Sequence, residues 1–575
     1  MQKEEVWAVI SCSVKSRAYR LVALLCMLAL TLVPILPRAA SASSASENAT
    51  ATGTLTVSGS TADAYEAYQL FDAKVADARG SGGKLATSVA WASDAVRDAV
   101  LPVLREAGMD TAGAAAQDVA EWLDADGHMT HSLAMELACA VRSTGVEPKA
   151  MSAGFSMELP DGYWLIVAEE DAIGESQVGT APIFTLVGGA PVTVAPKAAV
   201  PEVRKHVLED SDGAWRKAAD ATVGDDLYWR LCATIPAGLA GYDVYTVEFA
   251  DAMSAGLDSA KVASSARVYV AAGDDGGFDA VFIAGSSVGS EPTNGWEDIT
   301  AGCVISVDAG TSTFTVRTGD LVAALGGAEK FAGGARVVVV YNAPLGAGAN
   351  RGAEKGNPNE VYLRYPRSPF AEQGGEGGYT RTPSDDATAY TWDLALVKRA
   401  SDDQRPLSGA VLRITDDRGR RLAADGTWTE GDATITTGAD GRVTIGGVDS
   451  GALSVEEVSA PEGYAGFTGA RALTLAIEGL DVQQVAAARP TLSVIAEEPL
   501  LVEAVDAASG TAEAAVLNSP ESPGPGEWFE GLLSKTGDRC LVSVFVLVAA
   551  GAAAGILLVV GSRLFGRGGG RRRDE

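Results

Sequence analysis

Cysteine and histidine are scarce in this 575-residue chain, six of one and three of the other. Cys12, Cys26 and Cys540 lie in the terminal segments, which leaves Cys139, Cys232 and Cys303. That odd number, without C-x-x-C spacing, excludes a disulfide framework and a zinc site. Cys232 and Cys303 can pair within one domain or stand as buried free thiols. His128 and His131 lie near Asp124 and Asp126, too few ligands for a metal centre. Asp124-Ala125-Asp126-Gly127 opens like a calcium loop, but Met135 stands where a bidentate glutamate is required. No metal and no cofactor are expected. Positive charge is also short, with 45 basic residues against 75 acidic and a net charge of −30. Nucleic acid is therefore a poor partner, since phosphate binding needs basic faces. The acidity instead keeps an exposed surface soluble and self-repelling. No P-loop, nucleophile elbow or zincin motif occurs, and no turnover enzyme is indicated. Only 13 of the basic residues are lysines, so a lysine recurring at a strand start carries information.

What is present begins at the ends. Lys15, Arg17 and Arg20 precede an apolar stretch over 21–36, followed by small residues through Ala45. A cationic region, a short apolar core and an Ala-x-Ala site read as a secretory signal over 1–45. The other reading, a retained N-terminal anchor, meets a core short for a membrane span. At the far end, 541–560 carries no charge and is long enough to span a bilayer as a helix. Arg563, Arg567, Arg571, Arg572 and Arg573 then place the extreme C-terminus in the cytoplasm. Leu533-Ser534-Lys535-Thr536-Gly537 stands just before this segment, behind a stiff Pro/Gly linker over 521–532.

Three regions are expected between the ends. Residues 50–195 form a mixed α+β domain, with strands near 53–57, 65–72 and 162–167 and helices near 90–107 and 115–145. Residues 196–370 and 388–520 are alternating strands broken by Gly, Asp and Asn turns, as in β-sandwiches. The expected fold class is mainly β: tandem Ig-like sandwiches, an N-terminal α+β domain and a C-terminal transmembrane helix.

These motifs carry a resemblance. Leu533, Lys535, Thr536 and Gly537 resemble the L-P-x-T-G sorting signal of Gram-positive surface proteins, with Ser534 replacing the proline. That resemblance implies cleavage by a sortase between Thr536 and Gly537 and transfer of the threonyl group to an amine. Trp392-Asp393-Leu394-Ala395-Leu396-Val397-Lys398, Glu457-Val458-Ser459-Ala460-Pro461-Glu462-Gly463-Tyr464 and Val516-Leu517-Asn518 resemble the B-type repeat of collagen adhesins found in SpaA-like pilins. The stretch from Tyr464 to Asn518 is longer than usual there. The resemblance implies a Lys–Asn isopeptide bond with Lys398 as nucleophile, Asn518 as electrophile and Glu457 as catalytic acid. Pro201-Glu202-Val203-Arg204-Lys205, Asp251-Ala252-Met253-Ser254-Ala255-Gly256-Leu257 and Asn359-Glu360-Val361-Tyr362 resemble the fimbrial isopeptide-formation domain. There it implies Lys205 as amine, Asp251 as acid and Asn359 as electrophile, with Asn342 in reserve. Where that family often continues Y-S-N-N-P, this chain has Tyr365-Pro366-Arg367-Ser368-Pro369. Ala195-Pro196-Lys197 is similar to the Y-P-K of polymerising subunits, which makes Lys197 either the acceptor amine or a plain linker lysine.

The chemistry explains the residue types. An amine attacks a carboxamide only when neutral, and burial lowers an amine pKa while raising that of a carboxyl. The protonated acid then polarises the carbonyl and moves protons, and fixed proximity supplies much of the rate. Tyr390 and Trp392 are expected to shield Lys398. The expected protein is an exported pilus subunit, anchored at the wall or polymerised into a surface fibre. Its precursor sits in the plasma membrane, and its partners are sortase, other subunits or peptidoglycan. The alternative is a monomeric wall-anchored adhesin for a host matrix protein or glycan, whose identity the sequence does not give.

Overall fold

The structure, a computed structural model, describes residues 51–521 apart from 60–61, 79–82, 126, 197–199, 238, 240–241, 275–276, 279–294 and 371–377. The secretory signal, Lys197, the linker beyond Glu521 and the sorting segment with its 541–560 span lie outside the described residues. Among the described residues no helix is long and apolar enough to cross a membrane. The described chain is mainly β, arranged as tandem domains.

The first domain comprises β1 (Thr52–Val57), β2 (Ala64–Asp77), β3 (Lys84–Trp91), α1 (Asp94–Glu106), α2 (Ala116–Asp124), α3 (His131–Arg142), β4 (Lys149–Ser152), β5 (Ser156–Pro160), β6 (Gly162–Ala168), β7 (Ile183–Val187) and β8 (Val192–Val194). A sheet ordered β3-β2-β6-β7 lies between the helices and a small sheet ordered β5-β1-β8. Leu165 and Val167 of β6 pack under the helices, whereas Trp164 and Ile166 face the small sheet. Strand alternation thus feeds two cores from one strand. The helix expected from residue 90 begins only at Asp94, because β3 runs to Trp91 and Ser93 caps the helix by accepting from Val96 N at 3.1 Å. The stretch over 115–145 is two helices. At the turn between them His128 stacks on Trp122, ring centroids 4.3 Å apart, with Nδ1 2.7 Å from the Trp122 carbonyl oxygen. His128 is therefore a packing residue.

The second domain is a sandwich built from β9 (Glu202–Glu209), β10 (Ala214–Arg216), β11 (Ala218–Asp220), β12 (Tyr228–Ile235), β13 (Glu248–Met253), β14 (Arg267–Ala272), β15 (Trp296–Asp298), β16 (Val304–Asp308), β17 (Thr313–Arg317), β18 (Ala335–Asn342), β19 (Asn357–Pro366), β20 (Tyr379–Arg381) and β21 (Asp385–Tyr390). One sheet runs β10-β9-β12-β18-β14-β15, the other β11-β21-β19-β13-β17-β16. Cys232 and Cys303 form no disulfide with each other. Cys232 joins an apolar cluster with Tyr269 and Val338, while Cys303 packs against the main core, so the two belong to different clusters.

The third domain comprises β22 (Trp392–Ala400), β23 (Val411–Thr415), β24 (Arg421–Leu422), β25 (Trp428–Thr429), β26 (Ile435–Thr436), β27 (Arg442–Val448), β28 (Gly451–Ser459), β29 (Tyr464–Ala465), β30 (Arg471–Glu478), β31 (Thr491–Ala496), β32 (Leu500–Asp506) and β33 (Thr511–Pro520). Its sheets run β27-β22-β33-β29 and β25-β24-β23-β28-β30-β31 around one apolar core. The first and last strands, β22 and β33, pair in parallel, with Lys398 opposite Val516 and Ala400 opposite Asn518.

The second and third domains share a dense polar interface. β21 passes into β22 through Thr391 alone. Gly352, at φ +74°, meets Gly510 so closely that a Cβ on either would strike the other's backbone. Asp220 Oδ2 accepts from Ser450 N at 2.8 Å and from Trp392 Nε1 at 3.3 Å. The Asp449 carboxyl lies beside that of Asp220, and the upward shift of both favours a proton shared between them. Burial, reinforced by the mutual repulsion of the carboxylates, pushes Glu209 and Asp449 upward; burial raises Asp220. Arg420 and Arg418 reach across to Asp225 at 2.6 and 2.7 Å.

Raised carboxyl pKa values contribute stability that is complete below the unfolded carboxylate range and lost as pH rises through the folded values. Asp449→Asn replaces the shared proton with a permanent amide donor. Thermal unfolding at neutral pH should show a gain of about 1 kcal/mol and a shallower pH dependence than the parent. A lower midpoint at neutral pH would exclude the shared proton.

Candidate functional site

Two buried lysines organise the two sandwiches. In the third domain Lys398 faces the core from β22 and is fully buried. Because it sits opposite Val516, the same face of β33 next presents Asn518. Lys398 Nζ lies 2.5 Å from Asn518 Oδ1 and 2.9 Å from Glu457 Oε1. Glu457 reaches over from β28 in the opposite sheet, and its Oε1 also accepts from Asn518 Nδ2 at 2.8 Å. Its Oε2 accepts from Phe467 N at 3.1 Å. Amine, amide and acid therefore touch one another pairwise. Burial pulls the Lys398 amine below its ordinary value, against the opposing pull of Glu457.

The aromatic cover differs from the sequence expectation. Phe467, not Trp392 or Tyr390, lies over Lys398 Nζ, 5.3 Å from the ring centroid. Trp392 begins β22 about 20 Å away by strand rise and spends its N–H on Asp220. Tyr390 stacks beside Trp392, with ring centroids 6.5 Å apart.

In the second domain the groups converge across the sandwich. Lys205 on β9 and Tyr341 on β18 face inward from one sheet, while Asp251 on β13 and Asn359 on β19 face inward from the other. All four are fully buried. Lys205 Nζ contacts Asp251 Oδ2 and lies 2.9 Å from the Tyr341 hydroxyl. That hydroxyl donates to Asp251 Oδ2 at 2.8 Å and accepts from Asn359 Nδ2 at 2.8 Å. Asp251 Oδ1 and Asn359 Oδ1 have no partner among the described residues. Burial draws the Lys205 amine down to about 8, although Asp251 pulls it upward. Burial likewise pushes the Asp251 carboxyl up, with Lys205 opposing. The two shifts run toward each other, which raises the share of the state with neutral amine and protonated acid over that in water. Trp229 and Tyr341 flank the amine, each ring centroid 5.4 Å from Nζ.

Asn342, the reserve electrophile, is engaged elsewhere. Its Oδ1 accepts from Leu227 N at 3.0 Å and its Nδ2 donates to Asp226 at 2.7 Å. Asn357 is likewise held, by Asn350 and the Ala389 carbonyl oxygen. Asn359 is thus the amide that joins the Lys205 centre. Two members of the sites, Tyr341 and Phe467, were not singled out by sequence motifs. The available sign for Tyr341 was its place in the apolar run Val337-Val338-Val339-Val340-Tyr341, two residues from Val339 and so on the same face of β18.

The geometry defines a class: tandem β-sandwiches, each holding a lysine amine, a carboxyl and a carboxamide in a dry core. Residues 393–483, within the third domain, match the family described as SpaA: Prealbumin-like fold domain. Among solved structures, the chain is similar to the T6 backbone pilin of Streptococcus pyogenes serotype M6. That match has 15% identity, covers 83% of this chain and 100% of that one, and has a TM-score of 0.47. The full-length major pilin SpaD from Corynebacterium diphtheriae matches at 15% identity over 82% of this chain and 98% of its own, TM-score 0.41. BcpA, the major pilin subunit of Bacillus cereus, matches at 10% identity over 82% and 99%, TM-score 0.37. No curated protein matches the sequence.

Proposed function

We propose that this chain is a structural subunit of a surface pilus, stabilised by two intramolecular Lys–Asn amide bonds and joined to its neighbours or to peptidoglycan through Thr536. The observation that carries the reading is the mutual contact of Lys398, Asn518 and Glu457 in a water-excluded core. The domain division into 50–195, 196–370 and 388–520 belongs to the same proposal.

In each centre the amine attacks the side-chain carbonyl carbon of the asparagine, the carbon–nitrogen bond of the amide breaks, and ammonia leaves. Glu457 in the third domain and Asp251 in the second carry protons and polarise the carbonyl. No external enzyme is needed, and each centre reacts once. The N-terminal signal supplies export, and the tail a temporary membrane hold and a threonyl group for a sortase to transfer. Lys197 is the proposed acceptor on the next subunit.

Intact mass of the exported, processed chain should fall short of the summed mass of the residues it retains by two ammonia molecules. The Lys398→Ala variant should fall short by one. A mass with no deficit in the parent would remove both bonds. Losing a covalent closure between residues 120 apart should lower stability by on the order of 5 kcal/mol. The Lys398→Ala unfolding midpoint should accordingly drop by ~15 °C or more in calorimetry.

The rate of the Lys205–Asn359 reaction should be bell-shaped in pH. On the acid side both Lys205 and Asp251 hold protons and the amine cannot attack. On the alkaline side Asp251 loses the proton it must supply. A rate that climbs without limit as pH rises would exclude the acid's role. Wall extracts should give a ladder of SDS-resistant polymers that collapses in Lys197→Ala; a single band from the parent would favour the monomeric adhesin.

A further inference from the structure

The two centres differ in how their carboxyl groups reach the amide. In the third domain one oxygen of Glu457 lies 2.9 Å from the amine nitrogen and 2.8 Å from the amide nitrogen. A single acid can therefore move a proton between the nitrogen that attacks and the nitrogen that leaves. In the second domain the acid is Asp251, one methylene shorter. Asp251 touches Lys205 Nζ and Tyr341, and among the described residues it has no hydrogen bond to Asn359. The gap is filled by the Tyr341 hydroxyl, 2.9 Å from the amine nitrogen and 2.8 Å from the amide nitrogen. These nearly repeat the two distances that Glu457 holds.

We propose that Tyr341 is a catalytic residue of the second-domain reaction, its hydroxyl passing the proton from the attacking Lys205 amine to the departing Asn359 amide nitrogen. This rests on the reading that Lys205 and Asn359 form an amide bond. A phenol hydroxyl has one proton to donate and two lone pairs to accept with. Here all three are used, on Asp251, Lys205 and Asn359. The ring is fixed in place, fully buried and packed on Phe314 with centroids 4.7 Å apart.

The step balances within the chain. Lys205 Nζ bonds to Asn359 Cγ, and the proton it sheds goes to the Tyr341 oxygen. As attack turns Nδ2 from an amide donor into a basic amine, the Tyr341 hydroxyl swings its proton from Asp251 to Nδ2, the Cγ–Nδ2 bond breaks, and ammonia leaves with the hydroxyl restored. Asp251 is then free to serve the carbonyl side, where its Oδ1 and Asn359 Oδ1 are both unpartnered among the described residues.

The test follows bond formation over time in full-length chains made by cell-free synthesis. Digestion and mass spectrometry count the branched Lys205–Asn359 and Lys398–Asn518 peptides. Tyr341→Phe should slow the first by about 100-fold and leave the second unchanged, since Lys398 has no tyrosine relay. The Lys398 bond also reports that the variant chain has folded. Equal rates for parent and Tyr341→Phe would overturn the relay. Should the phenylalanine variant not fold, fluorotyrosine at position 341 keeps the shape and changes only the acidity of the hydroxyl. A changed rate then supports the relay and an unchanged one overturns it. Absence of the branched Lys205–Asn359 peptide from the parent is a distinct outcome, which removes the bond itself and the relay with it.

Discussion

A primary amine buried in an apolar sandwich is the constraint on which both β-domains are built. An isolated charge there would cost many kcal/mol, so the group must be neutralised, paired or consumed. Both domains place the lysine on an early strand, facing inward, and bring the carboxyl from the opposite sheet. The amide is supplied differently. Asn518 comes from the parallel neighbour of the lysine strand, whereas Asn359 comes from the facing sheet. One bond would therefore fasten first strand to last within a layer, and the other would fasten layer to layer.

The junction between these sandwiches is the second organising element. β21 continues into β22 with one intervening residue, and β11 pairs in parallel with β21. The carboxyl cluster and the Gly352–Gly510 contact complete the seam. Toward the first domain the contacts are also backbone-based: Tyr365 donates to the Gln177 carbonyl oxygen and Ser176 N to that of Arg381. Load entering one domain thus has a polar path to the next that does not depend on a hinge.

Much of this was legible in the residues. Lys398 and Lys205 were legible through the motifs that carry them, and both lie fully buried on their strands. Glu457 and Asp251 were legible through their motifs, and Asn518 despite the long stretch before it, since that stretch holds β30, β31 and β32, regular strands rather than loop. Tyr341 was hidden because nothing in one sequence says which two sheets face each other. Phe467 was hidden because it lies in an irregular stretch between β29 and β30 with no periodicity, and Trp392 misled because its strand position is close to Lys398 in number but a strand's length away. The helix boundary at Asp94 failed for a local reason, a strand that outlasted its apolar pattern. The ends of the chain are the reverse case, since composition alone makes their argument.

The complete burial of Lys205, Asp251, Tyr341 and Asn359 has a further consequence. An amide made there lies behind the same wall that keeps solvent from its precursors. Hydrolysis needs an incoming nucleophile, and the packing of Trp229, Phe314 and Tyr341 leaves that nucleophile outside. Permanence in such a joint comes less from the strength of the bond than from the absence of anything nearby able to cut it.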